Sequence, residues 1–297
     1  MISKIEYNSN DVRVFRDDIY PFLGGGNKGR KIKYIEKDII KKKSNAVVTT
    51  GGIQSNHCRA LAVLAAQNGW KCTLVLHGNP DRFKILNGNA KLMRNSGAEI
   101  IFVAANNISI AMDVAMNNYN EQGLKPYYVW GGGHTIEGGL AYIEAVKELK
   151  QYCIKESWEP KYIFLASGTG STQAGIMAGL DNENIDAQVV GISVARDRKR
   201  AEQVVSEFYN DLIDFYKITT SNRDVTVLDD YLCGGYELFD TSLKKVSNNS
   251  LKNFGFILDT TYSGKGFYGM DDYIKRNNLC QEKILFWHTG GVLNYLN

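Results

Sequence analysis

Lys28 closes the run Gly24-Gly25-Gly26-Asn27-Lys28 and opens a basic stretch, Gly29-Arg30-Lys31-Ile32-Lys33. Glycine lets the backbone adopt positive φ and approach a ligand closely. A lysine carried by such a turn can reach a cofactor or a phosphate. Its amine forms Schiff bases with carbonyls, and pyridoxal phosphate chemistry requires one. The bland alternative is a surface lysine at the start of a helix. That alternative is weakened because GGGN, not a loop of charges, precedes it. Four further glycine-rich turns follow: TTGGIQSNH (49–57), WGGGH (130–134), ASGTGSTQAG (166–175) and HTGG (288–291).

ASGTGSTQAG places glycine, serine and threonine where a strand gives way to a helix, a ready anion site. No stretch matches the mononucleotide pattern GxxxxGK[ST]. A dinucleotide fingerprint begins with Gly168 and Gly170, but Gln173 occupies the third glycine position. The next strand ends in Val194-Ala195-Arg196 with no acid at its tip, which weakens a dinucleotide and leaves 2′-phosphate recognition by Arg196 open. A single monophosphate, as on pyridoxal phosphate, needs only the turn. A plain strand–helix turn without ligand also remains open.

Those turns must be held by regular elements. Apolar residues at 32, 35, 39 and 40 predict a helix from Lys28 to about residue 42. NAVVTT (45–50) reads as a buried strand running into Gly51-Gly52. Ser55 and Asn56 are good N-cap residues for the helix that follows. Strands are expected at 13–16, 72–77, 99–103, 127–130, 161–166, 188–194 and 283–287, with helices between most of them. Residues 229–239 read as loop, and the helix after the 262–266 turn is expected over 267–275. Strand, turn and helix alternate almost throughout, which predicts parallel sheets covered on both faces. The chain of 297 residues is long enough for two modest lobes.

The formal charge of +3 offers no concentrated basic face, so a nucleic-acid partner is not expected. The N-terminal residues lack an apolar signal region, and no apolar run approaches a membrane span. Five scattered cysteines without a CxxC pair argue against a disulfide framework and against a zinc site. The expected location is the cytoplasm, with no metal. His57 and His288 read more simply as packed histidines than as catalytic ones, and Cys58 as a small core residue.

GGGNKGRK, TTGGIQSNHCRA, NGNAKLMRNSGAE, ASGTGSTQAG, LDTTYSGKGFYGM and HTGG occur in an order that resembles the aminocyclopropane-carboxylate deaminase/D-cysteine desulfhydrase family. That family belongs to the fold type II, tryptophan synthase β-like pyridoxal-phosphate enzymes. The resemblance runs from about residue 13 to residue 291. It implies an α/β fold of two lobes with mostly parallel sheets, residues 46–150 forming the small lobe and residues 1–45 with 151–297 the large one. It implies pyridoxal 5′-phosphate carried by Lys28, which also moves the α-proton. Asn56 is expected at the ring oxygen, Gly168, Thr169, Gly170, Ser171 and Thr172 around the phosphate, and Ser263 at the ring nitrogen. Ser55 and Gln54 are expected over the substrate, Tyr262 beside it and Tyr236 along the wall.

The activity implied is β-elimination from a small amino acid, D-cysteine foremost, giving a 2-oxo acid and ammonia. Cyclopropane ring opening, β-replacement and racemisation are the alternatives, and a homodimer is expected by analogy. Two departures stand out. His134 occupies a position where relatives usually have serine. Leu232-Cys233-Gly234-Gly235 lacks the tyrosine that ring-opening deaminases place near residue 233, which favours the desulfhydrase-like branch.

Overall fold

A computed structural model describes residues 1–7, 9–219 and 222–296. Among these, ten strands form two sheets. β1 (Ile2–Tyr7), β2 (Asn10–Arg16), β7 (Tyr162–Ser167), β8 (Gln188–Ser193), β9 (Thr226–Leu228) and β10 (Lys283–His288) make the larger sheet, in the order β1-β2-β10-β7-β8-β9. β3 (Ala46–Gly52), β4 (Lys71–His77), β5 (Glu99–Phe102) and β6 (Pro126–Val129) make the smaller, in the order β5-β4-β3-β6. β1 runs antiparallel to β2, with Ile2 opposite Phe15 and Tyr7 opposite Asn10. The other strand pairs are parallel.

The parallel strands are apolar on both faces because helices cover both. Successive side chains point to opposite sides. Thus Leu285 and Trp287 of β10 enter one core with Ile163, Leu165 and Val189. Ile284 and Phe286 enter the opposite core with Phe164, Val190 and Ile192. In the smaller sheet Val47 and Leu74 face one way, and Val48 and Val75 the other.

The Gly26–Lys41 helix joins the two sheets. Its Ile32, Ile35 and Ile39 sit in the core of the smaller sheet, while Tyr34 packs against the core of the larger. Between them Arg30, almost fully buried, donates through Nε to Asp17 at 2.9 Å and through Nη1 to Glu148 at 2.6 Å. Asp17 is fully buried and also accepts from Tyr142 Oη at 2.6 Å and Trp287 Nε1 at 2.9 Å. One carboxylate therefore ties the joining helix, the Ile136–Glu156 helix and β10 together.

Most elements stand where the sequence places them, with ends moved by a few residues. β1 and β9 were not expected, nor was the short Pro80–Ile85 helix. The helix after Tyr262 begins at Ser263, four residues earlier than the pattern suggests, and runs to Arg276.

Truncation of Asp17 leaves Arg30, Tyr142 and Trp287 short of a buried acceptor. Asp17→Ala is expected to lower unfolding free energy by about 3–5 kcal/mol, read from the urea midpoint at unchanged slope.

Candidate active site

Ligands of open parallel sheets lie beyond the C-terminal ends of the strands. Here the turns after β3, β6, β7, β8 and β10 all border one cleft of about 810 Å³. Lys28, in the first turn of the Gly26–Lys41 helix, reaches into it. Its Nζ donates to the Gly132 carbonyl at 2.9 Å. Burial lowers its pKa to about 8, so a substantial fraction of the amine is neutral near physiological pH. Among the described residues no carboxylate pairs with it.

One helical turn on, Lys31 is buried, more deeply than Lys28. Its Nζ donates to Ser171 Oγ at 2.8 Å. Burial, and secondarily the charge of Lys28, push its pKa well down. Ser171 begins the Ser171–Asn182 helix, whose cap, Gly170 at φ 84°, supplies no side-chain acceptor to the first-turn N–H groups. Thr172 accepts from Asn27 Nδ2 at 3.1 Å, and Thr169 Oγ1 lies 3.3 Å from Ser171 Oγ. The Gly131–Gly133 turn presses on this loop. A Cβ on Gly132 would stand 2.6 Å from Thr169 Cγ2, and its φ of 74° also suits glycine. Uncapped N–H groups, three hydroxyls and the buried Lys31 amine, which an anion would favour in its charged form, make a donor set that fits a phosphate dianion. The residues expected at the phosphate are thus together, although Ser171 contributes from below the wall through Lys31.

Ser55 and Asn56 line the facing side. Ser55 caps the Asn56–Asn68 helix by accepting from Cys58 N at 3.1 Å, and its hydroxyl also lies against the Cys58 thiol. Asn56 donates through Nδ2 to Asn294 Oδ1 at 2.6 Å and accepts from Asn89 Nδ2 at 2.9 Å. Gln54 is not in the cleft wall. Its amide spans to Asn87 O at 3.0 Å and Ala90 N at 3.2 Å, so it fastens the 87–90 segment.

Tyr262 and Tyr236 meet at the cleft, their phenols hydrogen-bonded and their ring centroids 5.9 Å apart. Desolvation holds the Tyr262 phenol well above its usual pKa, with Tyr236 adding to the effect. Tyr262 therefore keeps its proton at neutral pH. Ser263 is fully buried and does not line the cleft. Its hydroxyl donates to Asp259 Oδ1 at 2.7 Å and accepts from Asp259 N at 3.0 Å. Its one proton is thereby committed, and only a lone pair is left for any ring nitrogen.

His57 and His288 are packed groups. His57 Nε2 lies 2.9 Å from Thr49 Oγ1, whose own proton goes to Val129 O at 2.7 Å. His288 Nε2 donates to Ile257 O at 2.7 Å. Motif reading did not reveal Lys31, Asn89, Asn294 or Asp259. The signal for Lys31 was its spacing of three from Lys28, which puts both on one helix face.

Holding the Lys31 amine buried, against its tendency to be protonated, costs stability unless an anion joins it. Lys31→Met is expected to stabilise the unliganded protein by about 1–3 kcal/mol in urea unfolding. The same variant should lose most of the protection that inorganic phosphate gives the wild type.

The pyridoxal-phosphate dependent enzyme family model matches residues 6–290. D-cysteine desulfhydrases of Salmonella newport and Salmonella typhimurium are 28% identical over 292 residues, 97% of this chain and 88% of theirs. That of Salmonella choleraesuis is 29% identical over 293 residues, with the same coverage. Among solved structures, one described as an ACC deaminase homologue superimposes with a TM-score of 0.86 at 28% identity, covering 97% of this chain and 92% of its own. A diaminopropionate ammonia lyase of Escherichia coli, with a TM-score of 0.65 at 13% identity over 98% of this chain and 80% of its own, shares the fold. With a family match spanning nearly the whole chain and a cleft lined by Lys28 beside a loop that suits a phosphate, the chain belongs to the pyridoxal-phosphate dependent enzymes.

Proposed function

We propose that this enzyme is a lyase that removes a proton from Cα of a small amino acid and expels a β leaving group, with D-cysteine as the leading substrate. The observation that carries the reading is the buried, carboxylate-free Lys28 amine in a cleft bordered by the phosphate loop on one side and by Ser55 and Tyr262 on the other. Pyridoxal phosphate, when bound, supplies an electron sink that makes a substrate Cα–H acidic. Lys28, Asn56 and residues 168–172 would hold it, with Lys31 balancing the phosphate charge.

The chain's own groups do the rest. The start of the Asn56–Asn68 helix and the Ser55 hydroxyl suit a substrate carboxylate. The Lys28 amine, with its lowered pKa, takes and returns the α-proton. Tyr262, kept protonated, offers its proton to a departing sulfur or hydroxyl. We treat residues 46–150 and residues 1–45 with 151–297 as two lobes whose approach excludes water. A cytoplasmic homodimer fits the free cysteines and the family resemblance. Among the described residues no helix is long and apolar enough to cross a membrane.

A second reading, ring opening of 1-aminocyclopropane-1-carboxylate, is favoured by one feature. Tyr236 brings a second phenol onto Tyr262, from the segment where the sequence lacks a tyrosine beside residue 233.

The purified enzyme is expected to release sulfide, ammonia and a 2-oxo acid from D-cysteine, and little from L-cysteine or the cyclopropane. Lys28→Ala should abolish both turnover and the borohydride-fixed cofactor; full activity in that variant overturns the reading. Fixation at Lys28 in the apoenzyme should rise with pH to a midpoint near 8, where its amine becomes neutral, rather than near 10.5. Tyr262→Phe should lower turnover by about 10²–10⁴-fold with cofactor retained, measured by steady-state sulfide release.

A further inference from the structure

His134 lines the cleft beside the phosphate loop and has no part in the reading above. Its Nδ1 lies 3.1 Å from the carbonyl oxygen of Thr169, a residue of that loop. A carbonyl only accepts, so Nδ1 carries a proton and Nε2 is bare while the ring is neutral. The ring packs on Phe208 of the Arg198–Tyr216 helix, centroids 4.1 Å apart. It therefore clamps the loop from one side and rests on a rigid helix from the other.

The charges around it are one-sided. Lys31 and Lys28 face it from the Gly26–Lys41 helix, and Arg196 from the turn after β8. Arg200 and Glu207 of the Arg198–Tyr216 helix stand at the exposed rim of the same cleft. Burial foremost, then Lys31, drives the imidazole pKa down to about 4, and the Thr169 carbonyl offsets this only in part. A serine at this position could hold the loop but not answer to charge.

We propose that His134 is a proton-linked clasp of the phosphate cradle: it binds the Thr169 carbonyl in either charge state and takes up one proton from solvent when a phosphate dianion settles at residues 168–172. This rests on reading those residues as the cofactor phosphate site. A dianion there opposes the nearby cations and itself attracts the imidazolium, which works against the burial that chiefly depresses the ring, so its pKa rises from the depressed value. The imidazolium keeps its Nδ1–H on Thr169 and gains a donor at Nε2. Cofactor binding then consumes a proton, and mildly acid conditions tighten it.

The probe is pyridoxine 5′-phosphate, which has no aldehyde and forms no bond to Lys28. Its binding to apoenzyme is measured by calorimetry between pH 5.5 and 7.5, in two buffers of different ionisation heat to count protons. His134→Asn keeps an N–H for Thr169 but does not titrate, and His134→Ser provides a second non-titrating variant. Wild type is expected to take up more proton than either variant and to gain about tenfold in relative affinity from pH 7.5 to 5.5. Binding with equal proton counts and parallel pH profiles overturns the clasp while leaving the phosphate site standing. Failure of wild type to bind the probe at all overturns both.

Discussion

Two lysines lie one helical turn apart, Lys28 in the wall of the cleft and Lys31 buried behind it, and among the described residues no carboxylate pairs with either. That unbalanced charge is the constraint from which the site follows. Arg30 lies between them in sequence but points to the other side, where Asp17 and Glu148 neutralise it. A single helix thus sorts its cations into a paired set that builds the fold and an unpaired set that awaits a ligand. Burial of a lysine amine without a counterion is unfavourable, and it persists because the helix is held by isoleucines on one side and Asp17 on the other. Stability is given up where binding needs it and is recovered in the cores.

The same helix explains why the site draws on both sheets. Its isoleucines belong to the smaller sheet and its arginine to the larger. Its N-terminal turn therefore lies where the C-terminal ends of both sets of parallel strands converge. Lys28 touches Gly132 from the smaller sheet's side, and Lys31 touches Ser171 from the larger sheet's side. Each amine reports on a different sheet, although three residues separate them.

Much of this was legible in the sequence, for reasons that are local. Glycine turns, N-caps and β-branched runs act over a few residues, so the Lys28 turn, the strand–helix turn at 166–175 and most parallel strands could be read directly. β1 could not. It pairs on one side only, alternates weakly and is largely polar. β9 is three residues long, too short for periodicity to register. Side-chain partners were not legible where a motif residue spends its hydrogen-bonding capacity within the fold. Gln54 and Ser263 sit inside motifs that suggest ligand contact, yet Asn87, Ala90 and Asp259 occupy their polar atoms. Lys31 was illegible in the opposite sense. Its meaning lies in the absence of a partner, which only the packed structure can show.

Asp259 shows how far such an occupied group can reach. Its carboxylate accepts from the backbone N–H groups of Thr261, Tyr262 and Ser263 as well as from the Ser263 hydroxyl. Those bonds fix the turn that carries Tyr262, so the phenol is aimed by backbone as well as by its contact with Tyr236. The same carboxylate accounts for the last glycine of HTGG. A Cβ on Gly291 would lie 2.1 Å from Asp259 Oδ1, and its φ of 109° also excludes most side chains. The turn after β10 can close on the cleft only because nothing projects from residue 291. A glycine motif that resembles ligand-binding backbone is, at this residue, the space that a buried acid requires in order to hold a tyrosine in place.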